Sequence, residues 1–111
     1  MYILRLGEFD DWLRSIKDKV SKQKIVVRIQ RLEEGNPGDC KAVGAGVLEL
    51  RISFGPGFRV YFVEKFGKVY VLLGGGDKST QSADIERAKA LAARLEIEKD
   101  EEGDWHESSK V

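Results

Sequence analysis

The sequence predicts one α+β domain, in which a small antiparallel sheet is covered by helices on one face. Apolar residues recur at helical spacing in two segments before residue 35 and in one after residue 79. Between these segments, apolar and polar residues alternate as they do in half-buried strands. A chain of 111 residues that is 41% hydrophobic has room for a single core. The predicted order of elements is β-α-α-β-β-β-α.

The first strand covers residues 2–6, a short stretch that favours β structure and is broken by Gly7. A first helix over residues 8–20 follows, because apolar side chains recur there at three- and four-residue intervals and acidic ones occupy the first turn. Ser21 is the expected N-cap of a second helix, which the Gly- and Pro-containing residues 35–38 end. The β-branched residues 25–27 also suit a strand, but their charged neighbours favour a helix.

Two strands follow the helices, because apolar and polar residues alternate over residues 48–54 and 58–63 on either side of a Gly-Pro-Gly turn. Residues 68–73 form a third strand, which the glycines at 74–76 are expected to end. Residues 39–43 are a candidate for a further short strand. The last helix begins near Ser79 or Thr80 and carries an apolar stripe as far as Leu95.

Charge divides the chain into a folded domain, residues 1–95, and an acidic tail, residues 96–111. The first part holds seventeen basic and twelve acidic residues, whereas the second holds two basic and seven acidic ones. Such a tail is expected to be a solvated, frayed end, and the alternative is a tail that contacts the basic body.

Several classes of protein are excluded by composition. One cysteine and one histidine allow neither an intrachain disulfide nor a Cys/His metal cluster, so we expect no metal and no cofactor. The start of the chain lacks the pattern of a secretion signal, and no apolar run is long enough to span a membrane, so we expect a cytoplasmic protein. The segment from Gly74 to Lys78 resembles a phosphate-binding loop, but Asp77 stands where that motif requires glycine.

Polar residues converge on one face of the predicted sheet. Alternation places Glu49 and Arg51 on the same face of one strand, and Arg59 and Tyr61 on the corresponding face of the next. Lys78 follows the last strand and is a candidate phosphate contact. We expect this face to be open to solvent, although polar outer faces are common in half-buried sheets.

Three segments together resemble a known family. They are GAGVLELR at residues 44–51, GPGFRVYF at residues 55–62 and LLGGGDKSTQ at residues 72–81. This combination, with FDDWL at residues 9–13, resembles the RelE/ParE superfamily of toxins, in particular the addiction-module killer proteins close to the HigB group. The resemblance runs from about residue 1 to residue 95.

The resemblance implies a RelE-like fold and a metal-independent endoribonuclease that cleaves mRNA, usually on the ribosome. It also implies the toxin of a type II toxin–antitoxin module, which forms a hetero-oligomer with a helix-turn-helix antitoxin. RNA carries its own nucleophile, the 2′-OH, so the enzyme need only remove a proton, neutralise the phosphorane and protonate the leaving oxygen.

By position, the resemblance implies that Arg59 stabilises the transition state and that Arg51 and Lys78 contact phosphate. Glu49 is the first candidate for the general base, with Asp77 and Tyr61 as alternatives. The residues expected to contact RNA are Lys41, Tyr61, Asp77 and Lys68.

Other functions share this fold. Toxins of the ParE type bind DNA gyrase without cleaving RNA, and a third alternative is an interaction domain that has lost toxicity. Trp12 and Trp105 are candidates for antitoxin binding, because stable interfaces bury aromatic surface. Trp12 also suits a place in the core, and Trp105 a place in a disordered tail.

Overall fold

A computed structural model describes residues 1–108 and shows a mixed α+β fold with a five-stranded sheet and three helices. The elements are β1 (Tyr2–Arg5), α1 (Gly7–Ser15), α2 (Lys19–Glu33), β2 (Cys40–Gly44), β3 (Val47–Ile52), β4 (Phe58–Lys65), β5 (Val69–Gly76), α3 (Gln81–Arg94), β6 (Ile97–Lys99) and β7 (Trp105–Glu107). A short 3₁₀ turn, Lys78–Thr80, precedes α3. The strand order in the main sheet is β1-β5-β4-β3-β2, and β6 and β7 form a separate hairpin.

The sheet has helices on both faces, so the prediction of helices on one face is wrong. Val60 and Phe62 of β4 belong to a cluster with Phe9 of α1 and Ile25 of α2. Tyr61 belongs to a second cluster, with Ala88 and Leu91 of α3. Because neighbouring side chains of a strand point to opposite faces, the run from Val60 to Val63 supplies apolar surface to both helical layers.

The sheet is mixed, whereas the sequence predicts a purely antiparallel one. β1 runs parallel to β5, with Tyr2 opposite Val69 and Arg5 opposite Leu72. The other neighbouring pairs in this sheet are antiparallel. The first strand is separated from β5 by more than sixty residues of chain, so no hairpin connection fixes its direction.

The boundary between α1 and α2 lies at a different residue from the predicted one. α1 ends at Ser15, and Val20 belongs to α2. Asp18 is the N-cap of α2, since its carboxylate accepts hydrogen bonds from the backbone N–H and the hydroxyl of Ser21, at 3.3 and 2.7 Å. The β-branched residues 25–27 are helical, as predicted. Residues 40–44 form the further strand that the sequence left open.

The three glycines continue β5 instead of ending it. Gly74, Gly75 and Gly76 lie opposite Tyr61, Val60 and Arg59 of β4. A Cβ on Gly75 would lie 2.3 Å from the Trp12 ring, and one on Gly76 would lie 1.8 Å from Oδ2 of Asp84. The glycines therefore allow α1 and α3 to place side chains directly on the strand.

The acidic segment forms a hairpin, so the expectation of a frayed end is wrong for residues 97–107. Ile97 and Trp105 pack against the α3-side cluster. The ring of Trp105 stacks on that of Phe66, with centroids 5.3 Å apart. Residues 109–111 of the predicted tail lie outside the described residues. Within residues 1–108, no helix is both long enough and apolar enough to cross a lipid bilayer.

The contact between Gly75 and Trp12 predicts the effect of two substitutions. Gly75→Ala is expected to lower the free energy of unfolding by about 1–3 kcal/mol, because the added methyl group must displace the indole ring. Gly74→Ala is the matched control, since a Cβ there meets nothing within 4 Å, and it should change stability by less than about 0.5 kcal/mol. Urea denaturation measures both values, and equal losses would contradict this packing.

Candidate functional site

The predicted polar residues lie in two adjacent rows across the sheet, on the face that α3 covers. In the first row, Glu49 of β3 lies between Lys41 of β2 and Tyr61 of β4. In the second row, Arg51 lies opposite Arg59. The sequence alternation therefore correctly predicts which of these side chains share a face.

Glu49 is the centre of the site and is fully buried. Its Oε1 accepts a hydrogen bond from Nε of Arg51 at 3.0 Å. Its Oε2 accepts hydrogen bonds from the hydroxyl of Tyr61 at 3.1 Å and from Nε2 of Gln81 at 2.9 Å. Nε of Arg59 lies 3.8 Å from the same oxygen and forms an ion pair with it. Residues from β3, β4 and α3 thus meet at a single carboxylate.

Burial and these contacts act in opposite directions on the pKa of Glu49. Burial alone raises it, but the hydrogen bonds from Gln81, Arg51 and Tyr61, together with the charge of Arg59, outweigh burial and lower it. Burial and the nearby Glu49 carboxylate raise the pKa of Tyr61. The hydrogen bond to Glu49 raises the pKa of Arg51. The site therefore holds an ionised glutamate beside a neutral tyrosine and a charged Arg51.

The expectation of an open face is wrong at Glu49 and Tyr61, because α3 covers this part of the sheet. Each candidate for the general base is engaged in another contact. Glu49 already accepts three hydrogen bonds, and Tyr61 donates its phenolic hydrogen to Glu49. Asp77 caps the 3₁₀ turn by accepting hydrogen bonds from Ser79, which lower the pKa of Asp77.

A positively charged edge borders the buried carboxylate. The side chain of Arg51 is 33% exposed and that of Arg59 is 12% exposed, whereas Lys78 is exposed. A Cβ on Gly57 would lie 3.1 Å from Nη1 of Arg59 and 3.6 Å from Cβ of Lys78, so the Arg59 guanidinium and the base of the Lys78 side chain both lie near this glycine. The left-handed backbone of Gly57, with φ of +79°, also requires glycine.

The guanidinium of Arg59 is only partly satisfied within residues 1–108. Its Nη1 donates a hydrogen bond to the carbonyl of Gly57 at 2.5 Å. Its Nε is buried and has no hydrogen-bond partner there, because Glu49 is too distant for a hydrogen bond. A buried donor without a hydrogen-bond partner is uncommon in native proteins. Because this Nε is shielded from solvent and lies beside the Glu49 carboxylate, only the terminal nitrogens of the 12% exposed side chain can offer N–H donors to an anion.

Two predicted RNA contacts lie farther out. Lys41 is exposed on the edge strand β2, beside Glu49 in the first row. Lys68 lies in the turn at the other end of β4 and β5, eight residues before Gly76, the residue opposite Arg59. At roughly 3.3 Å per residue, this separation is about 25 Å. The structure therefore does not bring Lys68 into the group.

Sequence reasoning missed two residues that the structure brings to this region. Gln81 hydrogen-bonds Glu49 across 32 positions of sequence, and no local pattern signals such a contact. Asp84 is buried and accepts hydrogen bonds from Thr80 at 2.5 Å and Arg87 at 2.7 Å, beside a cleft of about 250 Å³. Residues 1–108 contain no group of three or more His, Cys, Asp or Glu side chains that could hold a metal ion.

The lowered pKa of Glu49 predicts how the variant Glu49→Gln responds to pH. Near pH 7 the variant should lose about 3 kcal/mol of unfolding free energy, because Arg51 and Arg59 lose their buried counter-charge. The wild-type carboxylate stabilises the fold above its unfolded pKa of about 4.3, and this contribution is lost as pH falls through the lower folded value. The difference between variant and wild type should therefore shrink near pH 3.

Urea denaturation at both pH values measures this difference. Asp11→Asn is the control, since its 76% exposed carboxylate pairs with the exposed Arg14, and it should cost less than about 0.5 kcal/mol. A loss for Glu49→Gln that is the same at both pH values would contradict the ionised state of Glu49.

Comparison with known proteins identifies the family. The family model described as "Phage derived protein Gp49-like (DUF891)" matches residues 11–96. A protein of Haemophilus influenzae, described as an uncharacterized protein, is 52% identical over 87 residues, which cover 78% of this chain and 88% of the relative. Gp49-like proteins are associated with the toxins of toxin–antitoxin modules. The chain belongs to the Gp49-like family.

Proposed function

We propose that the chain is the toxin of a type II toxin–antitoxin module and a HigB-like member of the RelE/ParE superfamily that cleaves mRNA without a metal. The observation that carries this proposal is the guanidinium of Arg59. It pairs with the buried Glu49, lies near Gly57 as the Cβ of Lys78 does, and belongs to a side chain that is 12% exposed. Such a group suits a phosphate whose negative charge grows during the reaction.

Besides this stabilisation of charge, the cleavage of RNA requires few groups from the protein. The 2′-OH gives its proton to water and attacks the adjacent phosphate. The bond to the 5′ oxygen breaks as that oxygen takes up a proton, and a 2′,3′-cyclic phosphate and a 5′-hydroxyl result. Arg59 would neutralise the phosphorane, and the half-exposed Arg51 would hold a neighbouring phosphate oxygen. Lys78 is exposed beside Arg59 and is the residue we assign to the leaving oxygen.

The buried carboxylate then has a positioning role. Glu49 accepts hydrogen bonds from Arg51, Tyr61 and Gln81, so it is poorly placed to take a proton from substrate. Its charge offsets the desolvation of Arg59 and fixes the direction of Arg51. We therefore propose electrostatic stabilisation and substrate orientation as the main sources of rate acceleration, in place of general-base catalysis by Glu49.

The proposed partners follow from the same function. The association of the family with toxin–antitoxin modules suggests an antitoxin partner. We propose a helix-turn-helix antitoxin that forms a hetero-oligomer with the chain and neutralises it. The proposed substrate is mRNA, cleaved in the cytoplasm and usually on the ribosome. Because Arg59, Arg51 and Lys78 all belong to this chain, we propose that it also cleaves free RNA.

Substitution of Arg59 tests the nuclease in growing cells. Induction of the wild-type chain should produce new mRNA 5′ ends within reading frames in minutes, whereas Arg59→Ala should reduce cleavage by about 10²- to 10³-fold, the usual effect of removing a donor to the transition state. Arg59→Lys should restore only part of it, because lysine lacks the planar pair of donors. Sequencing of mRNA 5′ ends provides the measurement.

Arg94→Ala, which removes an exposed charge at the end of α3, is the control and should cleave like the wild type. Growth arrest with intact mRNA would contradict the nuclease and favour a ParE-like toxin that binds gyrase. Unchanged cleavage by the Arg59→Ala variant would show that Arg59 does not belong to the active site.

A further inference from the structure

A second basic surface lies on the other face of the sheet, between α2 and the segment that follows β3. It is a groove of about 450 Å³. Its apolar lining residues include Val27, Ile52 and Phe54, and its basic ones are Lys24, Arg28 and Arg31. No acidic residue of the described chain lines it. The groove thus combines apolar surface with positive charge.

The charge of the groove continues along α2. This helix carries five basic residues and one acidic residue, Glu33. Nζ of Lys24 lies 5.4 Å from the centroid of the Phe54 ring. Basic side chains beside an aromatic ring are typical of surfaces that bind single-stranded nucleic acid, where phosphates pair with the charges and a base stacks on the ring.

The groove adjoins the candidate active site. Arg28 donates hydrogen bonds to the carbonyls of Arg51 and Pro37, which joins α2 to the end of β3 and to the segment before β2. Phe54 lies three residues beyond Arg51 along the chain, so their Cα atoms are at most about 11 Å apart. A strand of a few nucleotides can therefore reach from Arg51 around the β3 end into the groove.

We propose that this groove binds the single-stranded RNA that flanks the scissile phosphate. The proposal rests on the proposed ribonuclease function and adds a substrate-binding surface to it. Charge favours RNA as the occupant, since three basic residues and no acidic residue of the described chain line the groove. Continuity with Arg51 places this surface on the path that a bound RNA would follow.

Fluorescence anisotropy tests the proposal with the full chain and a labelled 12-nucleotide 2′-O-methyl RNA, which lacks the attacking hydroxyl. The double variant Lys24→Ala/Arg31→Ala should raise Kd at least tenfold near 50 mM salt. It should also reduce the slope of log K against log salt by about 1.4, because each phosphate contact to a single strand contributes about 0.7. Phe54→Ala should raise Kd about tenfold with an unchanged slope, since it removes stacking and no charge.

Lys89→Ala/Arg94→Ala is the matched control, because it removes two positive charges from α3 and leaves the groove intact. This control should bind the RNA like the wild type, and thermal unfolding should show that all variants are folded. A Kd and slope that are unchanged in Lys24→Ala/Arg31→Ala would overturn the proposal. The proposal would also be overturned if Lys24→Ala/Arg31→Ala bound RNA like the wild type but no longer bound a co-expressed antitoxin. The groove would then be a protein-binding surface.

Cleavage of a dinucleotide, measured in parallel, separates this proposal from the ribonuclease function. The groove variants should lose less activity on a dinucleotide than on a longer RNA with ordinary ribose, because a dinucleotide makes fewer contacts with the groove. If the wild type binds the 12-nucleotide RNA through the groove but cleaves no RNA, the ribonuclease function fails while the binding surface is retained.

Discussion

The fold and the candidate site both depend on the buried carboxylate of Glu49. A fully buried charge costs several kcal/mol unless hydrogen bonds and an opposite charge compensate it. Compensation comes from Arg51 on the same strand, Tyr61 on β4 and Gln81 at the start of α3. One carboxylate therefore joins the start of α3 to the sheet and directs Arg51, in addition to the apolar packing of Ala88 and Leu91. A change at Glu49 would alter stability and the charged edge together.

The sequence predicts which side chains share a face of the sheet better than it predicts the environment of those side chains. Alternation along a strand is a local property, so it correctly places Glu49 and Arg51 on one face, with Arg59 and Tyr61 on the corresponding face of β4. Whether a helix covers that face depends on contacts between distant segments, such as Gln81 with Glu49. The predicted open face is consequently buried at Glu49, and this changes the role that its carboxylate can have.

The errors in the predicted fold have the same origin. Gly74 to Gly76 have the composition of a loop, but they form a strand that pairs with β4. Glycine is needed there because Trp12 and Asp84 occupy the space that side chains at Gly75 and Gly76 would need. The acidic segment has the composition of a free end, yet Ile97 and Trp105 have apolar surface to bury against the core. Composition reports average behaviour, whereas a few tertiary contacts decide the structure of these segments.

Cleavage of a chemically defined RNA in the presence of EDTA tests the central claim most directly. The substrate is an oligonucleotide with one preferred cleavage position, compared with the same oligonucleotide carrying a 2′-deoxynucleotide on the 5′ side of that position. Attack by the 2′-OH at the site formed by Arg59, Arg51 and Lys78 predicts a 2′,3′-cyclic phosphate product from the first RNA and no cut at that position in the second. Cleavage of the deoxy-substituted RNA at the same position, or cleavage that EDTA abolishes, would contradict the account.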